Sequence, residues 1–97
     1  MKELETRFIG TGEVRGYEFE QLWSSPFGYI YKKTHLDSGV VSYEVFKRIE
    51  NRHFGCVSYP RSKSFGVSAY ECSDLRRALM HFNSFISRAL DNNSNCS

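Results

Sequence analysis

Three histidines and three cysteines carry the strongest intrinsic chemistry in this chain, and their spacing disarms both sets. His35, His53 and His81 are far apart, none stands four residues from another histidine, and no acidic cluster offers a hard-cation site. No metal and no cofactor is therefore expected. Cys56, Cys72 and Cys96 form an odd, widely spaced set without C-x-x-C, which argues against both a disulfide framework and a zinc site. They read as cytosolic thiols, with Cys56 and Cys72 packing as small hydrophobes and Cys96 exposed. A Cys56 nucleophile with His53 as its base lacks a third group to orient it. The glycines of GTGEVRG at 10–16 do not match G-x-G-x-x-G and open a strand pattern, so they imply turns and no phosphate cradle. The chain is not expected to be an enzyme.

What remains is recognition by charge and aromatic surface. Residues 21–70 carry seven basic residues against three acidic ones, a local +4, whereas residues 1–20 carry −2. The positive residues fall at strand ends and in the loops ENRH and PRSKS. Lys47, Arg48, Arg52, Arg61 and Lys63 are the candidate phosphate contacts of a rim that would meet single-stranded nucleic acid. The bland reading is that Lys and Arg solvate strand ends in any protein. Tyr17, Phe19, Trp23, Phe27, Tyr29 and Tyr31 occupy odd positions of two adjacent predicted strands and so share one face. If a helix covers that face they are core, the default; if it covers the other, they form a base-stacking platform.

The elements that position these residues are legible from period. Leu75, Ala78, Leu79, Phe82, Ile86, Ala89 and Leu90 recur at three- and four-residue intervals, and Ser73 as N-cap followed by Asp74 starts a helix near 74. The polar run DNNSNCS ends it near Asp91, leaving residues 92–97 as a disordered polar tail on a single domain of residues 1–91. Upstream the period is two. Strands are predicted in VRGYEFEQLW (14–23), GYIYKKT, VVSYEVFKRI, FGCVSYP and VSAY, with an edge strand in residues 3–9 closed by the GTG turn at 10–12. In VVSYEVFKRI, Val41, Tyr43, Val45 and Ile49 share one parity and Ser42, Glu44, Phe46 and Arg48 the other. The predicted fold is α+β, a single antiparallel meander sheet of four to six strands with one C-terminal amphipathic helix packed on one face.

The succession SYEVFKRI, VSYPRSKSFGVSAY and SDLRRALMHFN resembles a group of small uncharacterised proteins from phages and mobile elements of gut bacteria. The matching positions are Tyr43, Glu44, Val45, Phe46, Tyr59, Pro60, Phe65, Gly66, Ala69, Leu75, Ala78 and Phe82, spread over just under half the chain; Tyr70 stands where Trp is as common. The resemblance implies architecture and a mobile-element context, and no activity. The strand-then-helix ending is also similar in outline to the WGR domain, but the W-G-R triplet is absent and no contact residue carries over.

Ninety-seven residues leave room for one core, and the 15% aromatic content fills it without disulfides or metal. No run approaches the roughly 18 apolar residues of a membrane span, and MKELETRFIG lacks the apolar stretch of a secretory signal. The expected setting is cytoplasmic. The expected function is a nucleic-acid-binding accessory protein. The alternative is a module that binds a host or partner protein through a sheet edge or the helix face bearing Arg76, Arg77, Met80 and His81.

Overall fold

Alternation of side chains along extended backbone puts Tyr29 and Tyr31 on one side of a strand and Ile30 on the other, so GYIY is an apolar run that needs cover on both faces. That strand is the centre of the molecule. The structure, a computed structural model, describes residues 2–66 and 68–95. In chain order the elements are β1 (Arg7–Ile9), β2 (Tyr17–Ser24), β3 (Gly28–His35), β4 (Val41–Lys47), β5 (Ile49–Asn51), β6 (Cys56–Ser58), β7 (Ala69–Cys72) and the helix α1 (Leu75–Asn95). Five strands form one antiparallel sheet in the order β1-β2-β3-β4-β7, and β5 and β6 form a separate hairpin. The fold is α+β, as the change of period predicts.

Turn chemistry fixes the meander. Between β2 and β3 the Ser25 hydroxyl accepts from the backbone N–H groups of Phe27 (3.0 Å) and Gly28 (3.1 Å). Between β3 and β4, Gly39 takes φ 76°, a conformation that favours glycine. The register then sets Tyr31 opposite Glu44, Ile30 opposite Val45 and Tyr29 opposite Phe46.

The helix packs on the Ile30–Val45 face. Ala78, Phe82 and Phe85 are buried there with Ile30, Val45 and Cys72, and Leu75, Leu79 and Ile86 pack around them. Leu90, counted in the predicted stripe, is 54% exposed, while Phe85 is buried in its place. The N-cap is Asp74 and not Ser73: the Asp74 Oδ1 accepts from the Arg77 N–H at 2.8 Å, the cap-to-third-residue bond. The helix runs to Asn95 and passes the expected stop at Asp91. Cys96 lies outside the described residues. No described helix is long and apolar enough to cross a membrane.

The aromatic face is core even though the helix lies on the other side. Phe19, Tyr29, Tyr31 and Phe46 are at most 1% exposed because the β5–β6 hairpin, the N-terminal segment and the 59–65 segment fold over them. The chain can do this because β4 ends at Lys47: Arg48 breaks the ladder, and Ile49 belongs to the hairpin instead of continuing the parity of Val41, Tyr43 and Val45. The predicted ENRH loop is correspondingly shorter, since Glu50 and Asn51 are strand. Lys2 then ties the N-terminus to the hairpin, its N–H donating to Gly55 O (2.8 Å) and its carbonyl accepting from Val57 N–H (2.7 Å). The Tyr31 hydroxyl donates to Glu5 O at 2.6 Å. Two of the six odd-position aromatics depart from the shared face. An extra residue between Gln21 and Trp23 carries Trp23 to the position opposite Ile30, where it is 43% exposed, and Phe27 falls in the turn before β3.

Candidate functional site

The five candidate phosphate contacts do not form one rim. Lys47 lies on the helix side, its ammonium 5.7 Å from the Phe85 ring centroid. Arg48 points to the opposite side and is consumed internally. Its guanidinium donates to Glu3 Oε2 (2.6 Å), Glu50 Oε2 (3.0 Å) and the Tyr29 hydroxyl (2.7 Å). This cluster holds Arg48 above its ordinary pKa, chiefly through the Glu3 and Glu50 hydrogen bonds, and holds Glu3 down at about 2, chiefly through Arg48 and then Tyr29. Tyr29 rises to about 12, first because it is buried and then because it donates to Glu3. Arg52, in the tip of the β5–β6 hairpin, Arg61, just before the 3-10 turn Ser62–Ser64, and Lys63 within that turn are exposed.

Arg48→Ala is therefore expected to lower the thermal midpoint by about 4–8 °C, the shift produced by losing about 1 kcal/mol of charged hydrogen bonding in a domain of this size. Arg52→Ala and Arg61→Ala are expected to leave the midpoint nearly unchanged, since exposed side chains away from such clusters contribute little. Thermal unfolding of the three variants side by side checks this. Equal midpoints for all three would show that the Arg48 cluster contributes nothing.

A different set of charges converges where β3, β4 and β7 lie side by side. Lys33 continues the parity of Tyr29 and Tyr31, Glu44 shares that of Phe46, and Glu71 that of Ala69, so all three point to the aromatic face at its open end. The register puts Glu44 directly opposite Glu71, a like-charge cross-strand pair that is unfavourable alone. Lys33 offsets it: Nζ lies 3.2 Å from Glu44 Oε2 and 2.7 Å from Glu71 Oε2, and sits 4.3 Å from the Tyr17 ring centroid. Glu44 is 2% exposed.

This triad is the floor of a cleft of about 520 Å³, within the range of ordinary ligand sites. Thr11, Glu13 and Val14 form one wall, and Tyr59, Pro60 and Phe65 the other. Two buried oxygens on its lining residues, Glu44 Oε1 and Tyr59 Oη, have no hydrogen-bond partner. Buried polar atoms are usually satisfied, so two such atoms on residues of one cleft mark where another polar group belongs, although each is closed to water and is reached only if the lining shifts. Burial is the main cause that pushes the Glu44 carboxyl up to about 7; Lys33 opposes it and Glu71 adds to it. Burial alone would lower Lys33, but Glu71 and Glu44 outweigh it and hold the ammonium above its ordinary range.

The histidines and thiols lie elsewhere. His35 Nδ1 is 2.8 Å from Ser38 Oγ in the β3–β4 turn, His53 contacts the Phe54 ring, and His81 stacks on Tyr70 with ring centroids 4.0 Å apart. Cys56 and Cys72 are free, and burial pushes the Cys72 thiol up. Among the described residues no group of three or more His, Cys, Asp or Glu is arranged to hold a metal ion.

Lys33, Glu44 and Glu71 were not singled out by sequence. The available signal was parity, because each is a charge in line with residues of the buried face: Tyr29-x-Tyr31-x-Lys33, Glu44-x-Phe46 and Ala69-x-Glu71. No family model, no curated protein and no solved structure matches this chain.

Proposed function

We propose that this protein is a cytoplasmic, non-enzymatic binding module whose recognition site is the cleft above Lys33, Glu44 and Glu71. The observation that carries the reading is the pair of unpartnered buried oxygens, Glu44 Oε1 and Tyr59 Oη, just beneath the lining of a cleft large enough to admit a polar group. Leaving such atoms unsatisfied costs about 1–3 kcal/mol each. A partner that hydrogen-bonds them recovers that cost, which makes the site selective for a group of complementary polarity. Binding is favoured over chemistry because the amine at the floor, Lys33, is held as an ammonium between Glu44 and Glu71, and no cysteine, serine or histidine is among the lining residues.

A second reading, single-stranded nucleic acid bound at the surface, rests on one specific observation. Phe54 in the hairpin tip is 74% exposed, two residues from Arg52 and in contact with the His53 ring. Phe54 could stack on a base while Arg52, Arg61 and Lys63 contact phosphates, with Lys47 and Arg48 withdrawn from the set. The resemblance to small proteins of phages and mobile elements suits either partner.

Amide chemical-shift mapping of the labelled protein separates the two. Titration with a mixture of small polar fragments is expected to shift Glu13, Val14, Glu44 and Glu71, and an unstructured oligonucleotide at about 50 mM salt is expected to leave those amides still. Shifts confined to residues 52–54 and 61–63, weakening with added salt at a log-log slope of about 0.7 per phosphate contacted, would favour the nucleic-acid reading. Shifts at neither set would remove the cleft as the recognition site.

A further inference from the structure

Resting on the cleft as the binding site, we infer that its ligand is a primary alkylammonium group, carried either by a small free amine or by a lysine side chain of a partner peptide. Three carboxylates, Glu13, Glu44 and Glu71, line the cleft against a single ammonium, Lys33. Two of them, Glu44 and Glu71, already hold an ammonium, because Lys33 sits between their Oε2 atoms and over the Tyr17 ring. That arrangement occupies one oxygen of each carboxylate. It leaves Glu44 Oε1 buried and without a partner, with Glu13 as the third carboxylate of the lining.

An ammonium has three donors and no acceptor, which matches a cleft lined by three carboxylates. An anion fits poorly. The one cation it could approach, Lys33, is already hydrogen-bonded to Glu71, paired to Glu44 and covered by Tyr17. The walls suit the rest of the ligand, since Val14, Pro60 and Phe65 can pack along methylene groups.

The test uses the full chain, isotope-labelled, titrated at pH 8 and constant ionic strength with n-butylammonium, n-butanol and butyrate. The expected result is saturable shifts of Glu13, Glu44 and Glu71 with butylammonium, affinity about tenfold weaker for butanol because the charged hydrogen bonds are lost, and no shift with butyrate. Glu13→Gln, at an exposed position, is expected to weaken butylammonium several-fold and butanol by clearly less, because only the charged ligand loses an ion pair. A short lysine peptide binding at least about tenfold more tightly than butylammonium identifies a protein partner as the source; equal affinities identify a free amine. Butanol binding as well as butylammonium, or butyrate binding at all, overturns the ammonium inference and leaves the cleft as a site of other specificity. Failure of all three compounds and of the peptide to shift these amides overturns both.

Discussion

Phe46→Ala is expected to destabilise the fold by about 3–5 kcal/mol, the range for removing a fully buried aromatic side chain. Phe46 is 0% exposed, and its ring lies 5.7 Å from Tyr29, 5.8 Å from Tyr31 in a stacked arrangement, and 5.4 Å from Tyr59 edge-on. Those neighbours come from the sheet and from the segment that covers it, so the cavity cannot close by moving one side chain. The 59–65 segment also forms one wall of the cleft, and the loss of Phe46 should therefore loosen Tyr59 as well. Urea unfolding checks the magnitude. A loss below about 0.5 kcal/mol would place Phe46 on an uncovered sheet surface and return the aromatic face to the role of a stacking platform.

The second large effect depends on pH. Glu44 titrates at about 7 in the folded protein, against 4.5 for an unperturbed glutamate. Between these values the folded state keeps a proton that the unfolded chain has released. Stability from this group is therefore highest below about 4.5, falls as the pH rises toward 7, and is lowest above 7. Linkage sets the full loss on the order of 1–3 kcal/mol, since the titration is shared with Lys33 and Glu71. Glu44→Gln mimics the protonated carboxyl, so it should be neutral to within about 0.5 kcal/mol at pH 5 and should stabilise by about 1–3 kcal/mol at pH 8. The usual penalty for breaking a buried ion pair does not apply, because Lys33 keeps Glu71 at 2.7 Å. Denaturant unfolding at the two pH values measures both numbers. Destabilisation at pH 8 would mean that the attraction of ionised Glu44 to Lys33 exceeds the cost of burying it.

The architecture was legible because local pattern and tertiary packing agree along most of the chain. Strand period ends at Cys72 and helix period begins at Leu75, and SSPFG and HLDSG are turns for the reasons their residues suggest. What sequence could not settle is what covers a sheet face. The choice between core and platform assumed that the helix was the only cover, whereas a break at Arg48 frees a hairpin that covers the aromatic face from the other side. The basic set misled for a related reason. Arg48 stands among exposed cations in the sequence, but its partners Glu3 and Tyr29 are distant in the chain and meet it only after the N-terminus has folded across the hairpin.

The cleft was hidden by the same logic. Glu44 and Lys33 count as ordinary strand charges until register places Glu44 opposite Glu71 and the segment from Tyr59 to Phe65 closes over them. Register between β4 and β7 depends on the intervening hairpin and 3-10 turn, whose lengths no periodicity encodes.

The most direct test is the carboxyl ¹³C shift of Glu44 followed against pH, alone and with saturating n-butylammonium. A midpoint of about 7 is expected for the free protein. With the amine the midpoint should be lower, because a ligand that binds the ionised carboxylate must stabilise it. A free midpoint in the ordinary glutamate range near 4.3, or one that the amine leaves unmoved, would contradict the cleft as a site built around a buried, unpartnered carboxylate.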